Sequence, residues 1–112
     1  MSEPDYRRKT KPTERAIMQP LNKIRDVVCK VFGCTTRELM STRGYRHICW
    51  ARHAWVYLVR EADPLMSFPR LSKPMQRDHT TLVNSNKQAR TLMRRNKLFR
   101  AKVAEVRKRL GK

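Results

Sequence analysis

Apolar positions recur along most of this chain at spacings of three and four, the period of a helix buried on one side. The first run is Leu21, Ile24, Val28 and Val31, with Val27 beside them. Pro20 suits a first helical position and Gly33 an end, so a helix is expected between them. Thr35-Thr36-Arg37-Glu38 has the Thr-x-x-Glu form of a capping box, in which hydroxyl and carboxylate each take an orphaned backbone N–H. It predicts a short helix carrying Leu39 and Met40. "STRGYRHIC", Ser41 to Cys49, breaks the period and holds Arg43, Arg46 and His47 around a glycine, with no acid. It reads as a basic loop. "WARHAWVYLVREA" then sets Ala51, Ala54, Trp55, Leu58, Val59 and Ala62 on one stripe, and Asp63-Pro64 should end that helix.

"SFPRLSK" predicts a brief helix capped by Ser67, with Pro69 tolerated in its first turn and Pro74 as its stop. In "QRDHTTLVNSNKQAR", Gln76 to Arg90, an inward face forms from Leu82, Val83, Asn86 and Ala89, continued by Met93. Thr80, Thr81, Asn84 and Lys87 lie elsewhere on the cylinder. The phase resets at Asn96, and Phe99, Val103, Val106 and Leu110 mark a last helix ending at Gly111. No stretch alternates with period two for long enough to make a strand. The expected fold is all-α with five to six helices, residues 20–112 forming one domain. Residues 1–19, with Pro4, Pro12, Arg7, Arg8, Lys9 and Lys11, are expected to be a flexible basic N-terminal arm.

Charge narrows the function. The 112 residues hold 27 Lys and Arg against 9 Asp and Glu, a formal net charge of +18. Such an excess suits a polyanion, nucleic acid first. No apolar stretch is long enough to span a bilayer, so no membrane association is expected. "MSEPDYRRKTKPTER" lacks the apolar core of a signal peptide, and a cytoplasmic, nucleoid-associated protein is expected. Cys29, Cys34 and Cys49 are odd in number and do not suggest a disulfide framework. With His47 and His53 they could be drawn as a zinc site, but the spacing matches no Cys-x2-Cys knuckle. Neither metal nor other cofactor is expected. Acids are few and form no close pair, so no enzyme and no catalytic residue is expected either. Trp55 lies on the apolar stripe and belongs to the core, whereas Trp50 and Tyr57 remain open between packing and base stacking. Arg94, Arg95 and Lys97 suit either phosphates or a solvated helix junction, and Arg107, Lys108 and Arg109 suit a helix C-terminus.

Two helices joined by "SKPMQ", the second opening with polar residues, outline a helix-turn-helix. A recognition helix enters the major groove N-terminus first, where its free N–H groups and dipole favour phosphate. Thr80 and Thr81 are short enough to reach bases, and their methyl groups can pack on thymine. Arg77 suits a guanine edge or a phosphate, and His79 an acceptor. Asp78 either caps the helix or accepts from a cytosine amino group.

From about Leu21 to Leu110 the chain resembles the C-terminal DNA-binding domain of the bacterial replication initiator DnaA, a Trp-repressor-like all-α module. "IRDVVCKVFGCTTRELMS" resembles its first two helices, and "STRGYRHICWARHAWVYLVRE" its basic loop and long helix. "SFPRL" resembles the Ser-Leu-Pro-x-Ile start of its helix-turn-helix. "RDHTTLVNSNKQAR" resembles its Arg-Asp-His-Ser/Thr-Thr-Val signature. The resemblance implies that Arg77, Asp78, His79, Thr80 and Thr81 face the major groove of a nine-base-pair box. It also implies that a loop arginine enters the adjacent minor groove. That arginine's place is taken by Gly44, which leaves Arg43 and Arg46 as candidates. The family's Gly-Gly before the signature is Met75-Gln76 here, and its Pro-Arg-Gln at the long helix is Ala51-Arg52-His53. Arg52, His53, Ser67, Lys73, Gln76, Asn84 and Lys87 are the candidates for phosphate.

The expected function is sequence-specific binding of double-stranded DNA by a monomer, as a transcriptional or replication-related regulator. No Gly-x-x-x-x-Gly-Lys-Ser/Thr phosphate loop occurs, so no ATPase activity is expected. Two alternatives stand beside it. One is an architectural or packaging protein of a phage or mobile element that coats DNA through charge. The other is an interaction protein whose last helix docks on a polymerase or replication partner.

Overall fold

The computed structural model describes residues 12–41, 44–65 and 67–111, the first nine of these as backbone alone. Six helices follow one another: α1 Pro12–Phe32, α2 Thr36–Met40, α3 Arg46–Ala62, α4 Phe68–Met75, α5 His79–Arg95 and α6 Lys97–Arg109. The described residues contain no strand, and the all-α expectation holds.

The first helix starts earlier than expected. It begins at Pro12 and passes through Pro20, so the boundary drawn between arm and domain falls inside α1. Pro12 has the fixed φ that suits a first turn, and Glu14, Arg15, Ala16, Met18 and Gln19 are good helix formers. Residues 1–11 of the expected arm lie outside the described residues. Gly33 ends α1 at φ 77°, and its N–H and that of Cys34 both donate to the Cys29 carbonyl, at 2.9 and 3.0 Å. The capping box opens α2 as expected. Thr35 Oγ1 accepts from the Glu38 N–H at 3.0 Å, and Glu38 Oε1 accepts from the Thr35 N–H at 2.9 Å.

The basic loop is shorter than its sequence suggests. Arg46, His47, Ile48 and Cys49 form the first turn of α3, with the Ile48 and Cys49 N–H groups donating to the Tyr45 carbonyl at 3.0 and 2.9 Å. Ile48 is fully buried and adds one position to the stripe that continues through Ala51 and Trp55. Its burial draws the helix start back into the basic segment.

α3 is the central element, packed against α1, α2 and α5, while α6 lies on α1 and α5. Trp55 is buried, and its Nε1 donates to the Leu21 carbonyl at 3.1 Å, fastening α3 to α1. Phe99 sits edge-on to Trp50 at 5.7 Å and tilted against Phe32 at 5.9 Å, so α1, α3 and α6 meet at one ring. Val103 and Val106 are buried with it, and Leu110 packs against the same cluster. The α6 stripe therefore closes this chain's own core. Asn96 caps α6 by accepting from the Phe99 N–H at 2.9 Å.

α4 and the turn after it set the angle at which α5 leaves. Ser67 Oγ caps α4 by accepting from the Arg70 N–H at 3.3 Å. Pro74 does not stop the helix, which runs one residue past it. Leu71 and Met75, one turn apart, are both buried. Burying Met75 contributes about 1.5–3 kcal/mol, which offsets much of what a proline costs a helix. The connection is thus Gln76-Arg77-Asp78, and "SKPM" belongs to α4. Gln76 takes the left-handed conformation, φ 55° and ψ 44°. Its N–H reaches the Lys73 carbonyl at 3.1 Å and that of Arg77 reaches Ser72 at 3.0 Å, a complete Schellman turn. This position prefers glycine, since a side chain there costs about 1–2 kcal/mol. Gln76→Gly should raise stability by about 0.5–1 kcal/mol after glycine's own entropy is counted. Urea unfolding checks this, and a lowered midpoint would mean that the Gln76 side chain makes a stabilising contact.

Candidate nucleic-acid interface

The interface is built around the start of α5. Leu82, Ser85 and Ala89 turn one side of this helix into the core. That burial forces Asp78, His79, Thr80 and Thr81 outward, and all four are exposed. Asp78 holds the N-cap position with φ −61° and ψ 142°, but its side chain makes no capping hydrogen bond. Its capping role is therefore confined to the backbone. The first-turn N–H groups keep the positive end of the helix dipole without a side-chain acceptor from the cap. Thr80, Asn84 and Lys87, spaced four and three apart, continue the exposed surface along α5.

Charge runs along both helices of this unit. From Phe68 to Arg95 the basic residues are Arg70, Lys73, Arg77, Lys87, Arg90, Arg94 and Arg95, against Asp78 as the one acid. All of these except Arg77 are exposed. Gln76 is exposed in the turn, whereas the Ser67 hydroxyl is engaged as the α4 cap. Arg46 is exposed in the first turn of α3, and Arg43 lies outside the described residues.

Three candidates are placed differently from what their residue types suggest. Arg52 is half-buried, its Nε donating to the Leu39 carbonyl at 2.9 Å and its Nη2 to Glu38 at 3.3 Å. Nη2 also donates to the Ser41 carbonyl, and Nη1 reaches Cys49 Sγ at 3.9 Å. Its fork is engaged by the end of α2 rather than turned outward to a phosphate. His53 is half-buried as well, and burial, followed by the charge of Arg52, pushes its pKa down to about 4. The imidazole is neutral near pH 7 and supplies no positive charge. Arg77 donates from Nη1 to the Gln76 carbonyl at 2.9 Å, and from Nη2 to Leu39 at 3.4 Å and to the Ser41 carbonyl. Burial and the neighbouring Arg52 charge lower its pKa.

Arg77 therefore ties the turn before α5 to the residue that opens the basic segment. The sequence gives no sign of this contact, because Arg77 and Leu39 are 38 positions apart. A second unforeseen feature is Tyr45, 59% exposed and stacked on His47 with centroids 6.3 Å apart and planes 16° off parallel. An aromatic beside glycine in a basic segment was the available signal. The three cysteines are free thiols, and among the described residues no group of three His, Cys, Asp or Glu could hold a metal ion. No helix among them is long and apolar enough to cross a membrane.

A short helix, a left-handed turn and a longer helix whose first turn stands exposed, in a segment of seven basic residues and one acid, define a DNA-binding helix-turn-helix module. Residues 21–89 match the family described as the bacterial dnaA protein helix-turn-helix, and the chain belongs to that family. The chromosomal replication initiator protein DnaA of Thermoanaerobacter sp. (strain X514) is 25% identical over 87 residues, covering 78% of this chain and 19% of that protein. The protein of the same name from Streptococcus mutans serotype c is 30% identical over 87 residues, 77% of this chain and 19% of its own length. That of Trichormus variabilis is 36% identical over 75 residues, 66% of this chain and 16% of its own. This chain thus spans about a fifth of the length of the first two.

Proposed function

We propose that the protein is a sequence-specific reader of double-stranded DNA that lays the first turn of α5 in the major groove. The observation that carries this is the exposed, side-chain-uncapped first turn, Asp78 to Thr81, on a helix whose other face is buried. A major groove about 12 Å wide admits such a helix. Thr80 and Thr81 offer hydroxyls and methyl groups to base edges, His79 offers a ring N–H, and Asp78 accepts from a cytosine amino group. Arg46, with Arg43, serves the adjacent minor groove, where a narrow A·T-rich stretch concentrates negative potential. Lys73, Gln76, Asn84 and Lys87 hold the phosphates that fix the register. The α6 stripe is engaged in the chain's own core, so the protein binds as a monomer to one asymmetric site. A polymerase or replication partner would have to dock on another face.

Relatives named as chromosomal replication initiators support a role at initiator-type sites, as a transcriptional or replication regulator in the bacterial nucleoid. These 112 residues hold no phosphate loop, and in this reading they hydrolyse no ATP themselves. The net charge of +18 favours a second reading, non-specific coating of DNA. A salt titration separates the two. Charge-only binding falls in parallel on every duplex, whereas specific reading keeps a preference of about 10³-fold or more for a selected duplex over a shuffled one. Parallel loss on both duplexes would establish the coating reading instead.

A further inference from the structure

Two half-buried arginines share the same two acceptors. The Leu39 carbonyl takes Arg52 Nε at 2.9 Å and Arg77 Nη2 at 3.4 Å, and the Ser41 carbonyl takes Nη2 of both. These oxygens belong to the end of α2, where the last carbonyls of a helix lack intrahelical partners and the dipole favours cations. Burial first, and then the like charge of Arg52, lower the pKa of Arg77. Charge-assisted hydrogen bonds, which outweigh neutral ones, hold them there against repulsion. Arg52 comes from α3 and Arg77 from the turn that launches α5, so three elements converge on Leu39 and Ser41.

We infer that Arg77 is a positioning residue: with Arg52 it clamps the end of α2, fixing the basic segment at a set distance and angle from the reading turn of α5. The two DNA-contacting pieces come from distant parts of the chain, and duplex geometry demands that they reach adjacent grooves together. The clamp supplies that spacing before DNA arrives, so binding does not have to order it. Arg77 is the half-buried exception among the basic residues from Phe68 to Arg95, and in the free protein it faces carbonyls of α2 and Ser41. This rests on the DNA-reading function proposed above, although the clamp itself has a signature in the free protein.

The test compares Arg77→Lys, Arg77→Gln and, as an exposed comparator, Arg46→Gln, all in the full chain. Without DNA, amide exchange is read at Leu39 and Ser41, whose N–H groups bond to Thr35 and Glu38 at 2.9 and 3.1 Å. Both Arg77 variants should speed exchange there by about tenfold or more, lysine failing to rescue because it lacks the planar fork. Arg46→Gln should leave it unchanged. On the selected duplex, Arg77→Lys should weaken binding about tenfold and remove minor-groove protection at one flank in a hydroxyl-radical footprint. The salt slope and the bases preferred under α5 should stay as they are. Unchanged exchange in both variants would overturn the clamp. So would a salt slope reduced by about one with the flank still protected, the mark of a lost phosphate contact. Relaxed preference at a single base pair would overturn it too, in favour of base reading. Loss of cooperative melting in both variants would do the same, since it would make the pair a support of the whole fold rather than of one segment. If the parent protein selects no duplex, the DNA-reading function fails, and the exchange experiment still decides the clamp.

Discussion

Phe99→Ala should remove about 3–5 kcal/mol of stability, the range seen when a large buried aromatic is truncated. Phe99 has no solvent exposure, and its ring bridges Phe32 of α1 and Trp50 of α3. The deletion opens a cavity where three helices meet, and close-packed neighbours can collapse into it only in part. A domain of this size has a total of roughly 5–15 kcal/mol, so the variant should be near the edge of folding. At about 4–8 °C per kcal/mol, its melting temperature should fall by at least 12 °C. Phe99→Leu should recover most of the loss. The same measurement bears on oligomeric state, because a stripe needed for the monomer's own core is not available to zip two copies together. A Phe99→Ala cost below about 1 kcal/mol would mean that α6 packs elsewhere.

His79→Ala and Thr80→Ala should each weaken binding to the preferred duplex by about 1–3 kcal/mol and leave binding to unrelated duplexes nearly unchanged. Both side chains are exposed in the first turn of α5, so truncation removes little from the core and the folded state should melt as before. A lost base contact is felt only where the matching base is present, while phosphate contacts continue to hold every duplex. Thr80→Ser separates the hydroxyl from the methyl, since only the methyl packs on thymine. Quantitative binding on a selected and a shuffled duplex reads the difference. Equal losses on the two would remove His79 and Thr80 from base reading.

Much of the fold was legible because its signals are local. Thr35 and Glu38 cap each other three residues apart, and the Ala51–Trp55–Leu58 stripe declares its own buried face. The exposed turn at His79 to Thr81 was legible from the Arg-Asp-His-Thr-Thr signature. The misread positions are those where distant burial overrides a local cue. Pro74 punctuates the sequence, yet Met75 beyond it is drawn into the core, and the helix follows. Ile48 sits inside a run of basic residues, and its burial converts that run into the first turn of α3. Pro20 is carried inside α1 by the helix formers before it. Arg52 and Arg77 read by type as phosphate or base contacts, and the partners they hold in the free protein were not legible. Their acceptors, Leu39 and Ser41, are carbonyls of a remote segment, and no spacing rule reveals a side chain that bonds to backbone.

Selection of bound duplexes from a random pool tests the central claim, that the first turn of α5 reads base edges as a single copy. One short asymmetric motif should emerge, about one helical turn long, with an A·T-rich flank on the side of the Arg46 segment. The same selection with Thr80→Ala should keep the flank and lose preference at one or two positions inside the motif. A pool that stays random, or a motif that survives Thr80→Ala and His79→Ala unaltered, would contradict base reading by this turn. A motif with two-fold symmetry would contradict the single copy.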